Sequence, residues 1–279
     1  MFKNVYNFVC IFLFVWYNFN MEKEVFIKNR KGLRMSIKLN ISKDRNKLVF
    51  LEHGLSSRKE YPHMKVMEDL FAQNGYNVVN IDATNSLNAS DSSEEGITFS
   101  GHYEDLEDAV LWAKSQEFYH EPFALAGQSL GATSCLYYSC KYPCNVNLLI
   151  VAACPFLNGK NVVLNDPMMQ EIEKNGFFEK LSKSTGEIFR INNIFNEDVK
   201  NYDFTNQIKN IKSKTFVIQG LLDLEYIQEN SNTLYKLLEC DKKLILLENT
   251  PHDLANTEET KRLFTKTMID ILKKVDKNS

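Results

Sequence analysis

The pentapeptide GQSLG, centred on Ser129, has a glycine two positions away on either side of the serine. A short apolar run, residues 123–126, leads directly into it, and a helix-like stretch, residues 129–141, leaves it. A serine at the tip of a sharp turn from strand to helix has strained backbone angles and leaves no room for nearby side chains. The pattern therefore predicts a nucleophile at Ser129, with Gly127 and Gly131 supplying the space that the turn needs.

From Met21 onward the chain alternates strand-like and helix-like segments, as a mostly parallel sheet with helices on both faces requires. The first two predicted strands form a hairpin, and a Ser/Asn/Asp-rich loop covers residues 84–93. The predicted strands are residues 24–27, 34–39, 47–52, 77–82, 123–126, 148–152, 214–219 and 242–247. The predicted helices are residues 61–74, 103–113, 129–141, 227–238 and 257–272.

This alternation lapses between residues 155 and 212. At roughly 60 residues the stretch is too long for a connecting loop, so we expect an inserted cap that contains short helices. The sequence thus predicts a single α/β domain over residues 21–279, with the cap at about residues 155–212.

The N-terminus begins with a continuously apolar segment, residues 8–17 (FVCIFLFVWY), which is too short to span a bilayer. No cleavage site with small residues follows it. Two interpretations are open for residues 1–20: a poor signal for secretion or membrane association, or an upstream extension of a protein that starts at Met21. The second, with a cytoplasmic location, is favoured because the cysteine-rich body suits a reducing compartment.

Composition excludes several classes of function. Of the residues 44% are hydrophobic and 25% charged, and 33 basic against 36 acidic side chains leave a net charge of -3. No basic block is present that would follow a phosphate backbone, so no nucleic-acid partner is expected. The six cysteines form no C-x-x-C pair and lie near no histidine at zinc-ligand spacing. We expect free thiols, no metal site, no cofactor and a small-molecule substrate, and we do not expect membrane association.

A serine nucleophile needs a base to remove its proton and an acid to orient that base. His252 lies in the loop between the last predicted strand and the final helix, and Asp223 comes just past the strand before it. The chain order Ser129, Asp223, His252 is the order of nucleophile, acid and base in an α/β hydrolase. Three other acids nearby are rivals, but they do not end a strand: Asp253, Glu225 and Glu248.

An oxyanion hole needs two backbone donors, one after the nucleophile and one from a loop that follows an earlier strand. Leu130 provides the first. The sequence His53-Gly54-Leu55 ends a strand at the required place, so the N–H of Leu55 is predicted to be the second. His53 is expected to shape that loop and not to act as an acid or base.

The other histidines and an acidic helix receive structural interpretations. His63 and His120 are predicted to be surface or partly buried residues, and for His102, at a helix start, a place in the pocket lining is the alternative to a structural role. Four acids on the helix at residues 103–113 predict a solvated face and a favourable first turn, not a catalytic or metal cluster: Glu104, Asp105, Glu107 and Asp108.

Five motifs carry a resemblance to a known family: LEHGLSS, NVVNIDATNS, ALAGQSLGA, GLLD ending at Asp223, and Pro251-His252. In these residues the chain resembles the α/β-hydrolase family over about residues 25–272. Within the family it is similar to the small cap-bearing esterases related to cinnamoyl esterases and monoacylglycerol lipases. The resemblance implies an oxyanion loop, a nucleophile, an acid and a base at the positions already named.

The chain departs from this family at three places. After Asp82 it reads ATNSLN where relatives commonly have an Arg-Gly-x-Gly-x-Ser-like run. Gln219 precedes Gly220 where relatives commonly have histidine, and Gln128 stands where a histidine commonly precedes the nucleophile. None of these changes removes a catalytic atom.

The resemblance implies hydrolysis of carboxylic esters through an acyl-enzyme. An aminopeptidase or a thioesterase with the same triad is an alternative, because fold and triad do not determine the leaving group. A non-catalytic binding protein of this fold is a second alternative, and its expected sign is a lost triad residue. A structural protein anchored by residues 8–17 is a third.

Overall fold

The structure is a computed structural model that describes residues 21–93, 96–181 and 187–276. The apolar segment at residues 8–17 lies outside the described residues, so its interpretation stays a prediction. Within the described part of the chain, no helix combines the length and the apolar character needed to cross a membrane.

Each predicted strand is present in the structure, either with the predicted bounds or a few residues longer. The described strands are β1 (Met21–Lys28), β2 (Arg34–Ile41), β3 (Lys47–Glu52), β4 (Tyr76–Asp82), β5 (Phe123–Gln128), β6 (Val146–Ala152), β7 (Phe177–Leu181), β8 (Ile188–Asn192), β9 (Lys214–Gly220) and β10 (Lys242–Leu247).

Eight of these strands form one sheet in the order β1-β2-β4-β3-β5-β6-β9-β10. The pairs β1–β2 and β2–β4 are antiparallel, and every other pair is parallel. Strands β4 and β5 are buried along their whole length, because helices cover both faces of the sheet. The predicted α/β fold with a mostly parallel sheet is confirmed.

Helices lie on both faces of this sheet. They are α1 (Pro62–Gln73), α2 (Phe99–Ala113), α3 (Leu130–Lys141), α4 (Gly159–Asn165), α5 (Pro167–Asn175), α6 (Ile194–Val199), α7 (Glu225–Leu237) and α8 (Glu258–Asp276). Met67 of α1 and Phe264 of α8 belong to the core on one face. Leu106, Leu136 and Leu234, from α2, α3 and α7, belong to the core on the other.

The stretch between β6 and β9 contains α4, α5, α6 and a 3-10 helix, Thr205–Asn210. The antiparallel hairpin of β7 and β8 lies between α5 and α6. The sequence indicated short helices here but not this hairpin, because its strands are five residues long and largely exposed. Only Phe189 and Ile191 of β8 are buried, in strict alternation with exposed neighbours.

The prediction that the acids of α2 form a solvated face is wrong for two of them. Asp105 is fully buried, and its carboxylate accepts hydrogen bonds from Asn29 Nδ2 at 2.8 Å and from the Thr84 N–H at 2.6 Å. Burial raises the pKa of Asp105 to about 6. Asp108 is also buried and accepts three hydrogen bonds from the Arg30 guanidinium, at 2.9, 3.0 and 3.2 Å. The turn between β1 and β2 packs against α2, and a pattern on one helix does not reveal this contact.

One histidine prediction, that for His63, is wrong. His63, expected at or near the surface, is 2% exposed. His102 is buried in the interior and does not line the active-site cavity: its Nδ1 lies 3.3 Å from Glu52 Oε1, and its ring contacts that of His53 edge-on at 5.4 Å. Helix α2 begins at Phe99, four residues earlier than predicted, so His102 belongs to its first turn and faces the sheet.

Candidate active site

Ser129 forms the turn between β5 and α3, with φ 55° and ψ −123°. A positive φ is unfavourable for serine, and the surrounding backbone maintains it: the Ser129 N–H donates to the Ala152 carbonyl at 2.9 Å. The flanking glycines allow α3 to approach the sheet. A Cβ at Gly131 would lie 2.2 Å from the Glu52 carbonyl oxygen, and one at Gly127 would lie 2.5 Å from the Gly131 backbone. The serine is therefore held at the tip of a tight, strained turn.

The histidine and the acid reach Ser129 from neighbouring strands. His252 Nε2 lies 2.9 Å from Ser129 Oγ, and His252 Nδ1 lies 2.8 Å from Asp223 Oδ2. Ser129 follows β5, Asp223 follows β9 and His252 follows β10. The carboxyl ends of parallel strands meet at one edge of a sheet, so residues far apart in sequence come together there.

The candidate acid and the candidate base differ in their burial. The Asp223 side chain is 1% exposed, whereas that of His252 is 35% exposed. Asp223 Oδ1 accepts the Leu224 N–H at 2.8 Å, so both carboxylate oxygens have donors. The rival acids do not contact His252 and are all exposed: Glu225, Glu248 and Asp253.

The two predicted oxyanion donors line the same cavity as Ser129. Leu130 is the first residue of α3, where backbone N–H groups have no partner within the helix. Leu55 follows β3 on the other side of the serine. Among the described residues, neither backbone N–H donates to a protein acceptor. Both are therefore available to a negatively charged oxygen beside Ser129.

His53 holds the loop that carries Leu55. Its Nε2 accepts the Ala83 N–H at 3.0 Å, so the ring proton is on Nδ1 and donates to the Gly54 carbonyl at 2.7 Å. Burial lowers the pKa of His53, which keeps the ring neutral and this arrangement intact. A Cβ at Gly54 would lie 2.7 Å from Gln128 Oε1 and 3.0 Å from Ser129 Cβ, so a larger residue there would displace the Gln128 side chain and crowd the serine.

A cavity of about 540 Å³ opens over the serine. Its apolar wall comes mainly from the stretch between β6 and β9: Phe156, Val162, Met168, Met169, Phe178, Ile191 and Phe195. Asp166 accepts a hydrogen bond from the Tyr226 hydroxyl on this wall, so both polar groups have a partner. In the same cavity lining, His63 Nδ1 contacts the Asp253 carbonyl at 3.1 Å, and burial lowers the pKa of His63 to about 4.

Two glutamines next to these residues were not assigned roles from the sequence. Gln128 Nε2 donates to the main-chain carbonyl of His252 at 3.0 Å. Gln219 Nε2 donates to Asp223 Oδ2 at 3.0 Å. The available signal was that both stand where relatives commonly have histidine. Over the described ranges 21–93, 96–181 and 187–276, no group of three or more His, Cys, Asp or Glu side chains is arranged to hold a metal ion.

A serine on a strand-to-helix turn, with a histidine and an acid on loops at the same edge of a mostly parallel sheet, defines the α/β-hydrolase class. The sequence matches the family model of the alpha/beta hydrolase fold over residues 47–233, so the chain belongs to this family. No curated protein has a significant sequence match to it.

Solved structures share the fold at low sequence identity. Est1E from Butyrivibrio proteoclasticus, solved with ferulic acid bound, is 15% identical, with a TM-score of 0.76 over 90% of this chain and 98% of that one. The mouse alpha/beta hydrolase domain-containing protein 10 is 18% identical, with a TM-score of 0.71 and coverages of 91% and 99%. The esterase domain of a Rhodothermus marinus protein is 17% identical, with a TM-score of 0.63 and coverages of 91% and 98%.

Proposed function

We propose that this chain is a serine hydrolase that cleaves carboxylic esters with small or medium acyl groups through an acyl-enzyme on Ser129. The observation that carries the proposal is the continuous hydrogen-bonded line from Ser129 Oγ through His252 to Asp223, with contacts of 2.9 and 2.8 Å. The line ends at a strained serine below a largely apolar cavity, which is the arrangement that acyl transfer requires.

In the proposed reaction, His252 Nε2 takes the proton of Ser129 Oγ as this oxygen attacks the ester carbonyl carbon. The carbonyl oxygen becomes an oxyanion and accepts hydrogen bonds from the Leu55 and Leu130 N–H groups. The tetrahedral intermediate collapses, the C–O bond to the alcohol breaks, and His252 Nε2–H protonates the departing alkoxide. Asp223 accepts the Nδ1–H throughout and stabilises the imidazolium.

Water completes the cycle. It attacks the acyl-enzyme carbonyl while His252 removes one of its protons, and the second tetrahedral intermediate releases the acid and restores the Ser129 hydroxyl. A cavity of about 540 Å³ lies within the range of small-molecule sites and supports acyl groups of small or medium size. The free cysteines of the described residues support the proposal that the protein acts in a reducing compartment.

Covalent labelling tests the nucleophile. The wild-type protein is treated with a fluorophosphonate probe beside Ser129→Ala, and we expect labelling of the wild type alone and a fall in ester turnover of at least about 10⁴-fold in the variant. Labelling that persists in Ser129→Ala would place the nucleophile elsewhere. A folded wild type that neither reacts nor hydrolyses would favour a non-catalytic binding protein.

Substrate panels test the leaving group. p-Nitrophenyl esters, aminoacyl p-nitroanilides and acyl-CoA thioesters are compared by kcat/KM, and we expect the esters to be the best substrates. Turnover of the aminoacyl compounds alone would contradict the ester proposal and indicate an aminopeptidase. Turnover of the thioesters alone would indicate a thioesterase.

A further inference from the structure

Gln219, near the end of β9, contacts both the candidate acid, Asp223, and the helix α7. Its side chain is fully buried. Nε2 lies 3.0 Å from Asp223 Oδ2 and 2.9 Å from the Gly220 carbonyl oxygen, while Oε1 lies 2.7 Å from the hydroxyl of Ser231 in α7. Ser231 is also fully buried. Gln219 thus links Asp223 and Gly220, at the end of β9 and in the loop after it, to Ser231 on α7.

The partners of Gln219 determine the orientation of its amide. A carboxylate and a carbonyl can only accept, so the NH₂ group must face Asp223 and Gly220. The carbonyl oxygen then faces Ser231, whose hydroxyl donates to it. A flipped amide would direct Oε1 at two acceptor oxygens and would lose both of these hydrogen bonds, whereas the Ser231 hydroxyl could either donate or accept. Asp223 and Gly220 therefore set the orientation of the Gln219 amide, and Ser231 supplies the donor that the buried Oε1 needs.

These contacts determine the position of one carboxylate oxygen, Asp223 Oδ2. It accepts from His252 Nδ1 and from Gln219 Nε2, while Oδ1 accepts the Leu224 N–H. Rotation of the carboxylate would break these bonds in a site where the Asp223 side chain is 1% exposed and water does not replace them. The orientation of the acid thus depends on donors from outside the Ser-His-Asp line.

We propose that Gln219 and Ser231 are positioning residues for the candidate triad. The Gln219 amide holds the Asp223 oxygen that orients His252, and the Ser231 hydroxyl donates to the buried Gln219 carbonyl oxygen and fixes that end of the side chain. The inference rests on the proposed function. A glutamine amide does not titrate, so it keeps its donor at every working pH.

Gln219→Glu provides the sharpest test, because it is nearly isosteric and exchanges the permanent donor for one that titrates. Burial and the Asp223 charge keep the introduced carboxyl group protonated to a higher pH than usual. While protonated it donates an O–H to Asp223. Once ionised it places a second negative charge beside that oxygen and no longer donates.

The measurement is kcat/KM for p-nitrophenyl acetate from pH 5 to 9, expressed at each pH as the ratio of variant to wild type. For Gln219→Glu we expect this ratio to approach one at low pH and to fall about 10- to 100-fold at high pH. Gln219→Leu lacks a donor at every pH, so its ratio is low and constant. A residue that only filled space would yield a constant ratio for both variants.

Three further variants complete the design. Gln219→His restores an N–H donor and is expected to recover most of the activity that Gln219→Leu loses. Ser231→Ala leaves the buried Oε1 of Gln219 without its donor, so the amide is held less firmly, and this variant is expected to lower kcat several-fold with little change in KM. Gln116→Glu is the matched control and keeps a ratio of one throughout, because Gln116 lies at a partly exposed position after α2 with its amide in an exposed hydrogen bond to Ser115.

A second readout does not require turnover. The Nδ1 proton of His252 is followed by NMR in the wild type and in Gln219→Glu, and we expect its resonance to move in the variant as the introduced carboxyl group titrates. A constant activity ratio in Gln219→Glu, or a resonance that does not respond, overturns the positioning role. A wild type that neither hydrolyses esters nor reacts with the fluorophosphonate probe refutes the proposed function instead. In that case the His252 Nδ1 proton resonance still tests the positioning role.

Discussion

The side chain of Gln128, which directly precedes Ser129, donates a hydrogen bond to the main-chain carbonyl of His252 at 3.0 Å. The segment that carries the candidate nucleophile therefore also holds the loop that carries the candidate base. The two loops follow β5 and β10, which are separated by β6 and β9 in the sheet. This contact spans the site directly and does not depend on the intervening strands.

Gln128→Leu removes this donor and leaves the His252 carbonyl without it. Because a small displacement of the base reduces proton transfer, we expect kcat for p-nitrophenyl acetate to fall about 10-fold, with KM changed less than about threefold. Gln128→His supplies a ring N–H and is expected to recover part of the loss. Unchanged kcat in Gln128→Leu would indicate that the loop is held without this bond.

Gly131→Ala tests the close approach of α3 to β3. The added Cβ would lie 2.2 Å from the Glu52 carbonyl oxygen, so backbone must move. We expect a loss of about 2 kcal/mol or more in the free energy of unfolding, measured by urea denaturation, together with slower phosphonate labelling. Gly101→Ala in α2 is the control, because its Cβ would contact only the Thr98 side chain, at 3.0 Å. Equal stability of the two variants would contradict the steric argument.

Met168→Trp tests whether the apolar wall of the cavity limits the acyl chain. The larger ring would occupy cavity space above Ser129, so we expect kcat/KM for p-nitrophenyl octanoate to fall about 10-fold or more while that for the acetate changes less than about threefold. Leu111→Trp, on the exposed face of α2, is the matched control. A parallel loss for all chain lengths would indicate that the acyl group binds elsewhere.

Lys59→Met tests a buried ion pair below the oxyanion loop. Lys59 Nζ lies 2.5 Å from Asp82 Oδ2, and their side chains are 2% and 0% exposed. Removing the cation leaves a buried carboxylate unpaired, so we expect a loss of about 3–5 kcal/mol in the free energy of unfolding. Lys200→Met is the control, because its partner Glu173 is 42% exposed and such pairs contribute about 1 kcal/mol or less.

The double variant Lys59→Met/Asp82→Asn separates charge from packing. Because the double variant has no unpaired buried carboxylate at position 82, we expect it to be more stable than Lys59→Met alone. A double variant that is less stable than Lys59→Met would show that the lysine acts mainly through its apolar stem.

His63 predicts a pH dependence of stability. Burial lowers its pKa to about 4 from the usual 6.5, so the unfolded state binds a proton more readily than the folded state between these values. Stability contributed by neutral His63 is full above pH 6.5 and is lost as the pH falls toward 4. At pH 4.5 the loss is about 2 kcal/mol.

His63→Asn keeps an N–H donor toward the Asp253 carbonyl but does not titrate. We expect its urea midpoint to fall less than that of the wild type between pH 7.5 and 4.5, by an amount equivalent to about 2 kcal/mol. Equal acid sensitivity of the two proteins would show that other groups cause the loss. His120→Asn, at a partly exposed loop position, serves as the control.

The order of strands and helices was largely readable from the sequence, because buried parallel strands are short apolar runs and amphipathic helices repeat every three to four residues. The turn at Ser129 was readable because its glycines are a steric requirement of that turn. The proximity of Asp223 and His252 to Ser129 was predictable because each follows its own strand, and a parallel sheet brings strand ends to one edge.

Contacts between elements far apart in sequence were decided only by the tertiary structure. Burial of Asp105 depends on the β1–β2 turn, which no pattern within α2 reports. The side-chain contacts of Gln128 and Gln219 depend on the angles at which neighbouring loops leave the sheet. Local periodicity indicates which face of a helix or strand is apolar. The hydrogen-bond partner of a buried polar group on that face depends on the packing of the whole chain.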